Sequence, residues 1–414
     1  MHAVHWRLLS LCLLTFAIAS PARGQCGGQW LNQRDGLILT NGFDAPQVKA
    51  LHVADLDGAG PQPAMLFVGG EFRTAGGLPA QHVAAWDGAS WHSFGGTGPI
   101  GAPGTGMPMA VSSLLVYNGQ LLAGGGQTAA TGSSVYRFQD GVWAQLGTSG
   151  PVGTVYAMTE FEGDLIAAGD GIYRWNGQSW TVIAPRGELT IFALSVHDGQ
   201  LYAAGNGSFP SPSDGGQAAT KIGRWDGESW RPVAGNTLTH TVSALVSTPL
   251  GLTAGTQPGG IHSVNVLTDI NWNRVTPCFQ CDYAVNANAL TWVNNQLYVA
   301  GQLRGNQVGG VGARIIAGQW VIDPNTPRAN SFAVAQLHNQ VYFGGIGGLY
   351  RHAVPTADFN NDGLTNDVDT AAFFACLGGA CCPGCLSSDL NADGDYGTDQ
   401  DIEAFFRMLA GQPC

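Results

Sequence analysis

Along most of the chain, short alternating apolar runs are separated by glycine, aspartate and asparagine turns, and one pattern repeats. Its first half is an apolar alternating run, a tight polar turn and an apolar pair ending in Gly. The copies are VKALHVADLDGAGPQPAMLFVGG from Val48, VSSLLVYNGQLLAGG from Val111, VYAMTEFEGDLIAAG from Val155 and IFALSVHDGQLYAAG from Ile191. VSALVSTPLGLTAG from Val242, ANALTWVNNQLYVAG from Ala287 and SFAVAQLHNQVYFGG from Ser331 make seven. Period-two alternation predicts strands, and the DG, NG and NN turns supply the positive φ angles of two-residue hairpins.

The second half of the unit is a strand, a turn and a Trp-bearing strand. It reads VAAWDGASW to Trp91, VYRFQDGVW to Trp143, IYRWNGQSW to Trp180 and IGRWDGESW to Trp230, with weaker copies ending at Trp272 and Trp320. The seventh unit reaches Tyr350 and Arg351 without its Trp strand, while CGGQWLNQ around Trp30 matches that strand at the other end of the chain. Repeats of roughly 36 to 55 residues with four strands each belong to propellers, where ring closure protects sheet edges. We therefore expect an all-β chain: a seven-bladed β-propeller over 25–354, closed by an N-terminal strand. The Trp columns should pack between blades, and the glycines should let backbones approach near a crowded axis. The first unit, with GGEFRTAGGLPAQHVAAWDGASW, resembles the kelch-like repeats of secreted bacterial propellers; that resemblance implies a fold and no particular function.

Composition agrees with a turn-rich β protein. Charged residues make up 11% and Gly 61 of 414, against about 25% and about 7% in typical domains. At the N-terminus, His2, His5 and Arg7 precede an apolar run from Leu8 to Ile18 and small residues through Gly24, the pattern of a secretory signal peptide over 1–24. No other stretch is long and apolar enough to span a bilayer. We expect a secreted protein, extracellular or at the cell surface. Removing the signal removes Cys12 and leaves Cys26, Cys278, Cys281, Cys376, Cys381, Cys382, Cys385 and Cys414, an even set that reads as disulfides in an exported chain.

The repeats show no catalytic set: HExxH, GxSxG and a phosphate loop are all missing. Histidines are spread about one per blade, and His197 and His338 are assigned to one surface turn column with Tyr117 and Phe161. Cys278 and Cys281 read as a local disulfide, and Asp55-Leu56-Asp57-Gly58 as a hairpin turn.

Val354-Pro355-Thr356-Ala357 leads into a different sequence over 355–414. From Ala357 onward, nine Asp and one Glu face only Arg407, so this segment carries most of the net charge of −12. The nearly neutral body argues against a nucleic-acid partner. Two segments repeat here, ADFNNDGLTNDVDTAAFFACLGG and SDLNADGDYGTDQDIEAFFRMLAG. In the first, Asp358, Asn360 and Asp362 stand at loop positions one, three and five, with Leu364 at seven and Asp369 at twelve. In the second, Asp389, Asn391, Asp393 and Asp395 repeat the pattern and Asp401 closes one residue later, with Asp399 as the alternative. That spacing places hard oxygens around two Ca²⁺ ions. A short amphipathic helix should follow each loop, Thr370 to Leu377 and Ile402 to Leu409, the latter with Phe405, Phe406 and Leu409 on its apolar side.

Duplicated loop–helix units of this kind resemble dockerins, and DGDYGTDQDIEAFFRMLAG is similar to the bacterial GC-type dockerin. The resemblance implies a small calcium-binding, α-helical, EF-hand-like domain that docks to a protein scaffold or cell-surface partner. The tail's five cysteines are odd in number, so we expect Cys26 to pair with one of them. A zinc site at 376, 381, 382 and 385 is the rival reading. The whole chain reads as a non-enzymatic exported binding or scaffold protein, with a carbohydrate or protein as the propeller's ligand. The alternative is a dockerin-borne carbohydrate-active enzyme, which would need two carboxylates converging on one propeller face.

Overall fold

In this computed structural model the described residues are 30–31, 39–40, 44–58, 60, 63–94, 107, 109–126, 133–187, 189–209, 220–233, 238, 240–257, 264–268, 271–275, 286–304, 309–316, 319–321, 326–353, 357–360, 365–381, 388, 390 and 397–410. The chain divides into two compact units, one of them Gln29–Val354. Among its described residues this unit holds seven four-stranded antiparallel sheets and one small three-stranded sheet, an all-β architecture consistent with a β-propeller.

The repeats become sheets because their two strand types carry different burial. The second strand of each unit is apolar on both faces, as in Met65–Glu71 and Gln340–Gly345, and it is buried along most of its length. The first strands alternate instead, as in Ile191–His197. The turns joining them take the left-handed angles that the sequence pattern requires: Asn118 and Gly119 have φ of 49° and 70°, Asp198 and Gly199 φ of 48° and 70°.

The first strands of the seven sheets are Gln47–Ala54, Val111–Tyr117, Ala157–Phe161, Ile191–His197, Thr241–Thr248, Asn286–Val293 and Ser331–Leu337. Each lies against the next, and Ser331–Leu337 lies back against Gln47–Ala54, so they enclose an axis. The last sheet takes its fourth strand from the other end of the chain: Trp30–Leu31 pairs antiparallel with Gly348–Ala353, Trp30 opposite His352 and Leu31 opposite Arg351. This is the pairing that the Trp30 segment suggests.

The Trp strands are the outermost. Trp143 Nε1 donates to the Phe94 carbonyl at 2.7 Å and Trp180 Nε1 to the Leu146 carbonyl at 2.8 Å, each reaching the end of the preceding sheet's outer strand. The WDGxSW motif is a turn device. Asp87 Oδ1 accepts the Ala89 and Ser90 N–H groups, both at 2.7 Å, and Asp226 Oδ1 accepts those of Glu228 and Ser229. Asp55 does the same for Asp57 and Gly58, a hairpin turn. His338 belongs not with His197 but one position later. It shares a left-handed φ with Asn118, Glu162 and Asp198, while Leu337 stands level with His197, Tyr117 and Phe161. Nor is that column a surface one, since Tyr117, Phe161 and Leu337 are buried.

Pro355–Cys414 lies in the other unit. Its helices α1 (Asp367–Leu377) and α2 (Asp399–Leu409) both begin three residues before the alternation alone suggests. Capping boxes at Asn366 and Thr398 set those starts, with Asp369 and Asp401 as the reciprocal partners. Phe359, Phe373 and Phe405 form the core, the last two stacked at 4.2 Å. The second member of each Phe pair does not join them: Phe374 and Phe406 are exposed, which corrects the expected apolar face of α2. Among the described residues no helix is long and apolar enough to cross a membrane. The expected signal peptide, Cys26, Cys278, Cys281, Cys382, Cys385 and Cys414 lie outside the described residues.

Candidate ligand site at the ring axis

In six of the seven sheets the pairing of the first two strands slips by one residue at the same place. Val48 faces Gly70 and Ala50 faces Gly69, leaving Lys49 without a position in the ladder. The same slip frees Ser112, Phe192, Ser243, Asn288 and Phe332. In the remaining sheet Tyr156 stands just ahead of its strand, its N–H on the Ala168 carbonyl at 2.9 Å. A bulge re-aims the extra side chain and bends the strand. Its neighbours on either side stay buried, Val48 and Ala50 or Ile191 and Ala193, so the bulged residue alone leaves the core.

The bulge also explains the glycine ending of the second strand. A side chain at Gly205 would collide with the Thr190 carbonyl, and one at Gly301 with the Asn286 carbonyl. The close approach suspected from the sequence is therefore the bulge itself.

The seven freed residues line one open cavity of about 440 Å³. The order around the ring sets its chemistry. Tyr156 and Phe192 come from adjacent sheets and meet edge to face at 5.0 Å, while Phe332 comes from the opposite side of the ring. Between these aromatic walls lie two polar arcs, one with Ser112 and the other with Ser243, Gln257 and Asn288. Several of these groups are held in place. Ser243 Oγ donates to the Ala287 carbonyl at 2.7 Å and Asn288 Nδ2 to the Ser331 carbonyl at 2.7 Å, satisfying carbonyls in the next sheet along. Gln257 Nε2 donates to Asn288 Oδ1 at 2.5 Å. Lys49, one of only two lysines in the chain, pairs with Glu71 at 3.3 Å. His82 feels the same Glu71, yet burial holds its imidazole below the ordinary range, so it adds no charge at neutral pH.

A second pocket, of about 600 Å³, opens beside the cavity between the third and fourth sheets. It is lined by Asp170, Arg186, Thr190 and Asn206, with the Arg186 and Asp170 side chains 4.0 Å apart. None of this appears among the residues singled out from the sequence. The signal was present: the second position of each aligned copy reads Lys, Ser, Tyr, Phe, Ser, Asn and Phe, a variable column inside an otherwise uniform motif.

Of the expected calcium ligands, Asp358, Asn360, Asp369 and Asp401 are described, and Asp362, Leu364, Asp389, Asn391, Asp393 and Asp395 lie outside the described residues. Asp369 is fully buried and accepts the Asn366 N–H at 2.8 Å and the Asn360 N–H at 3.1 Å. Asp401 is also fully buried and accepts the Thr398 N–H at 2.8 Å and the Leu390 N–H at 2.8 Å. Asp401 is thus the counterpart of Asp369, while Asp399 is exposed at the helix start like Asp367. Among the described residues no three His, Cys, Asp or Glu side chains are grouped as a metal site. Cys376 and Cys381 form a disulfide, which removes two of the four thiolates that the zinc reading needs.

No protein-family model matches the chain, and no curated protein does. Solved structures match it by fold. A catalytically inactive virginiamycin B lyase from Staphylococcus aureus with quinupristin is 11% identical with a TM-score of 0.54, covering 79% of this chain and 99% of the other. YCF48 bound to D1 peptide is 16% identical with a TM-score of 0.50, covering 77% of this chain and 94% of the other. At these identities the likeness concerns the β-propeller-type fold alone.

Proposed function

We propose that this chain is an exported, non-enzymatic binding protein whose seven-bladed β-propeller holds a ligand in the axial cavity. One observation carries the reading: each sheet contributes the same freed strand position to a single cavity of about 440 Å³. That volume falls within the usual range of ligand pockets, and several of the polar lining groups are fixed in place by hydrogen bonds before any ligand arrives. The lining offers aromatic faces, amides, hydroxyls and one ammonium, a set suited to recognition. The neighbour structures include YCF48 bound to D1 peptide and a virginiamycin B lyase with quinupristin, so proteins of this fold do accept ligands.

The Pro355–Cys414 unit serves in this reading as a calcium-dependent, dockerin-like module that attaches the propeller to a scaffold or cell-surface partner. Its described residues fit the ion. Asp358 and Asp369 are buried carboxylates, and the Asn360 N–H on Asp369 draws loop positions three and twelve together. Such an all-oxygen set suits Ca²⁺ rather than a softer metal. Asp358, Asn360, Asp362, the Leu364 carbonyl and Asp369 would hold one ion, and Asp389, Asn391, Asp393, the Asp395 carbonyl and Asp401 the other. Bound calcium would supply the positive charge that lets these carboxylates sit together.

The test is a binding screen of the full chain in calcium buffer against immobilised glycans and cell-surface proteins. It is repeated with Tyr156→Ser/Phe192→Ser, and the captured ligand is analysed for cleavage. The reading expects a ligand recovered intact and lost in the double variant. Binding indifferent to the variant removes the axial site, and a cleaved ligand favours the carbohydrate-active enzyme instead.

A further inference from the structure

We infer that the ligand of the axial cavity is a neutral oligosaccharide, one ring seated between the aromatic walls and the chain continuing into the pocket between the third and fourth sheets. The inference rests on the axial reading above and concerns the class and extent of what binds there.

Shape comes first. Aromatic side chains on two opposite sides of the ring, Tyr156 with Phe192 and Phe332 across from them, make two apolar walls with polar arcs between. A slot of that kind suits a flat molecule with apolar faces and hydrogen-bonding edges. A pyranose has that form: its C–H groups present the faces and its hydroxyls the rim.

Charge comes second. Each of the ionic groups described at this mouth is matched by its opposite, Lys49 by Glu71 and Arg186 by Asp170. An anionic or cationic ligand would compete with one of these pairs, whereas a neutral ligand leaves both undisturbed. Hydroxyls donate and accept at once, so they can meet Ser243, the Asn288 amide and the outer atoms of the ion pairs without leaving a buried group unmade.

Extent comes third. Thr190 lines the second pocket and Phe192, two residues on, lines the axial cavity. Two strand residues span about 7 Å, so the pockets are adjacent subsites on one end of the molecule. Asp170, Arg186 and Asn206 give the second subsite both donors and acceptors and no aromatic wall, which suits the solvated continuation of a chain rather than its anchored unit.

Isothermal titration of the full chain in calcium buffer tests this. The probes are neutral hexasaccharides of β-1,4-linked glucose, mannose and xylose, the matching disaccharides, hexagalacturonate, and a phenylalanine-containing hexapeptide. At least one neutral hexamer should bind, at least 10-fold more tightly than its disaccharide. Phe192→Ala and Asn288→Ala should each weaken it 10-fold or more, Phe192→Ala with little change in melting. Asp170→Asn should weaken the hexamer and leave the disaccharide unaffected. If hexagalacturonate or the peptide binds more tightly and loses affinity in Phe192→Ala, the saccharide assignment falls and the axial site stands. If no probe binds at millimolar concentration, or binding ignores both ring variants, the axial site falls with it. A hexamer indifferent to Asp170→Asn removes the second subsite.

Discussion

The Trp86 indole N–H donates to the Tyr342 hydroxyl at 3.2 Å, across 256 residues of sequence, joining the first sheet to the seventh. Both side chains are buried, and the Tyr342 hydroxyl in turn donates to Gln340 Oε1 at 2.8 Å. Burial also raises the Tyr342 pKa, which keeps the hydroxyl protonated and able to fill both roles. This relay crosses the seam where the ring closes, and it lies next to the strand order that places Trp30–Leu31 on the last sheet.

Removing the Tyr342 hydroxyl should therefore loosen the seam. Tyr342→Phe keeps the ring and leaves the Trp86 N–H buried without an acceptor, at a cost of about 1–3 kcal/mol. Trp86→Phe alone removes donor and volume together. The double variant should cost less than the sum of the two, because the orphaned donor is then gone. Urea unfolding of the three variants measures this; strict additivity would mean that the hydrogen bond does not couple the sheets.

The glycines opposite the bulges give a second expectation. Gly205→Ala and Gly301→Ala drive a methyl into a fixed backbone carbonyl, so each should cost about 2 kcal/mol or more. The fifth sheet is the informative exception, with Val242 facing Thr256 where the other sheets place glycine. Thr256→Ala shortens a side chain that already fits there and should consequently be milder than Gly301→Ala, which adds one where the Asn286 carbonyl leaves no room. Equal losses at the two positions, read from urea midpoints, would show that crowding by the carbonyl is not what selects glycine.

The strands, their order and the closing role of the Trp30 segment were legible in the sequence because each depends on patterns that repeat. Alternation marked the first strands, DG and NG marked the turns, and the missing Trp strand after Tyr350 pointed to the N-terminus. The site was not legible for a related reason. A repeat search rewards uniform columns such as Val48, Ile191 and Val242, and the axial cavity is built from the one column that varies. Strict alternation also hides a bulge, since it assigns Lys49 or Phe192 to a face without knowing that the ladder slips there. In the tail, spacing alone left Asp399 and Asp401 undecided. The capping box tells them apart structurally, because only the residue three positions into the helix can reach back to the N-cap N–H, which makes Asp401 the counterpart of Asp369.

His52 makes stability pH-dependent in a defined window. Its Nε2 accepts the Val116 N–H at 3.1 Å, tying the first sheet to the second, and burial lowers its pKa to about 4. The neutral imidazole is the folded form, while the unfolded chain protonates near 6.5. Stability from this group is then complete above about pH 6.5 and falls as the pH drops toward 4, at up to about 1.4 kcal/mol per unit. His52→Gln retains an acceptor that does not titrate and should flatten this part of the profile. Thermal melts at half-unit steps between pH 4 and 7 compare the two; parallel profiles would assign the slope to other groups.

Calcium should separate the two units of the chain. Asp369 and Asp401 are fully buried carboxylates that accept backbone N–H groups, Asp401 also the Thr398 hydroxyl, and carboxylate charge in such a buried setting calls for neutralisation. In the proposed reading a cation supplies that neutralisation, so chelation should unfold 355–414 and leave the propeller's melting transition in place. The variants sharpen the point because the two candidate closing residues differ in burial. Asp401→Asn keeps an oxygen at the capping position but removes the charge, so it should weaken or abolish one of two calcium sites by calorimetry. Asp399→Asn changes an exposed residue of the first helical turn and should leave the stoichiometry at two. Loss of a site in Asp399→Asn but not in Asp401→Asn would reverse the assignment. Limited proteolysis in excess chelator supplies the independent readout: a tail as resistant as in calcium would mean that the two phenylalanine-stacked helices hold themselves together without the ion.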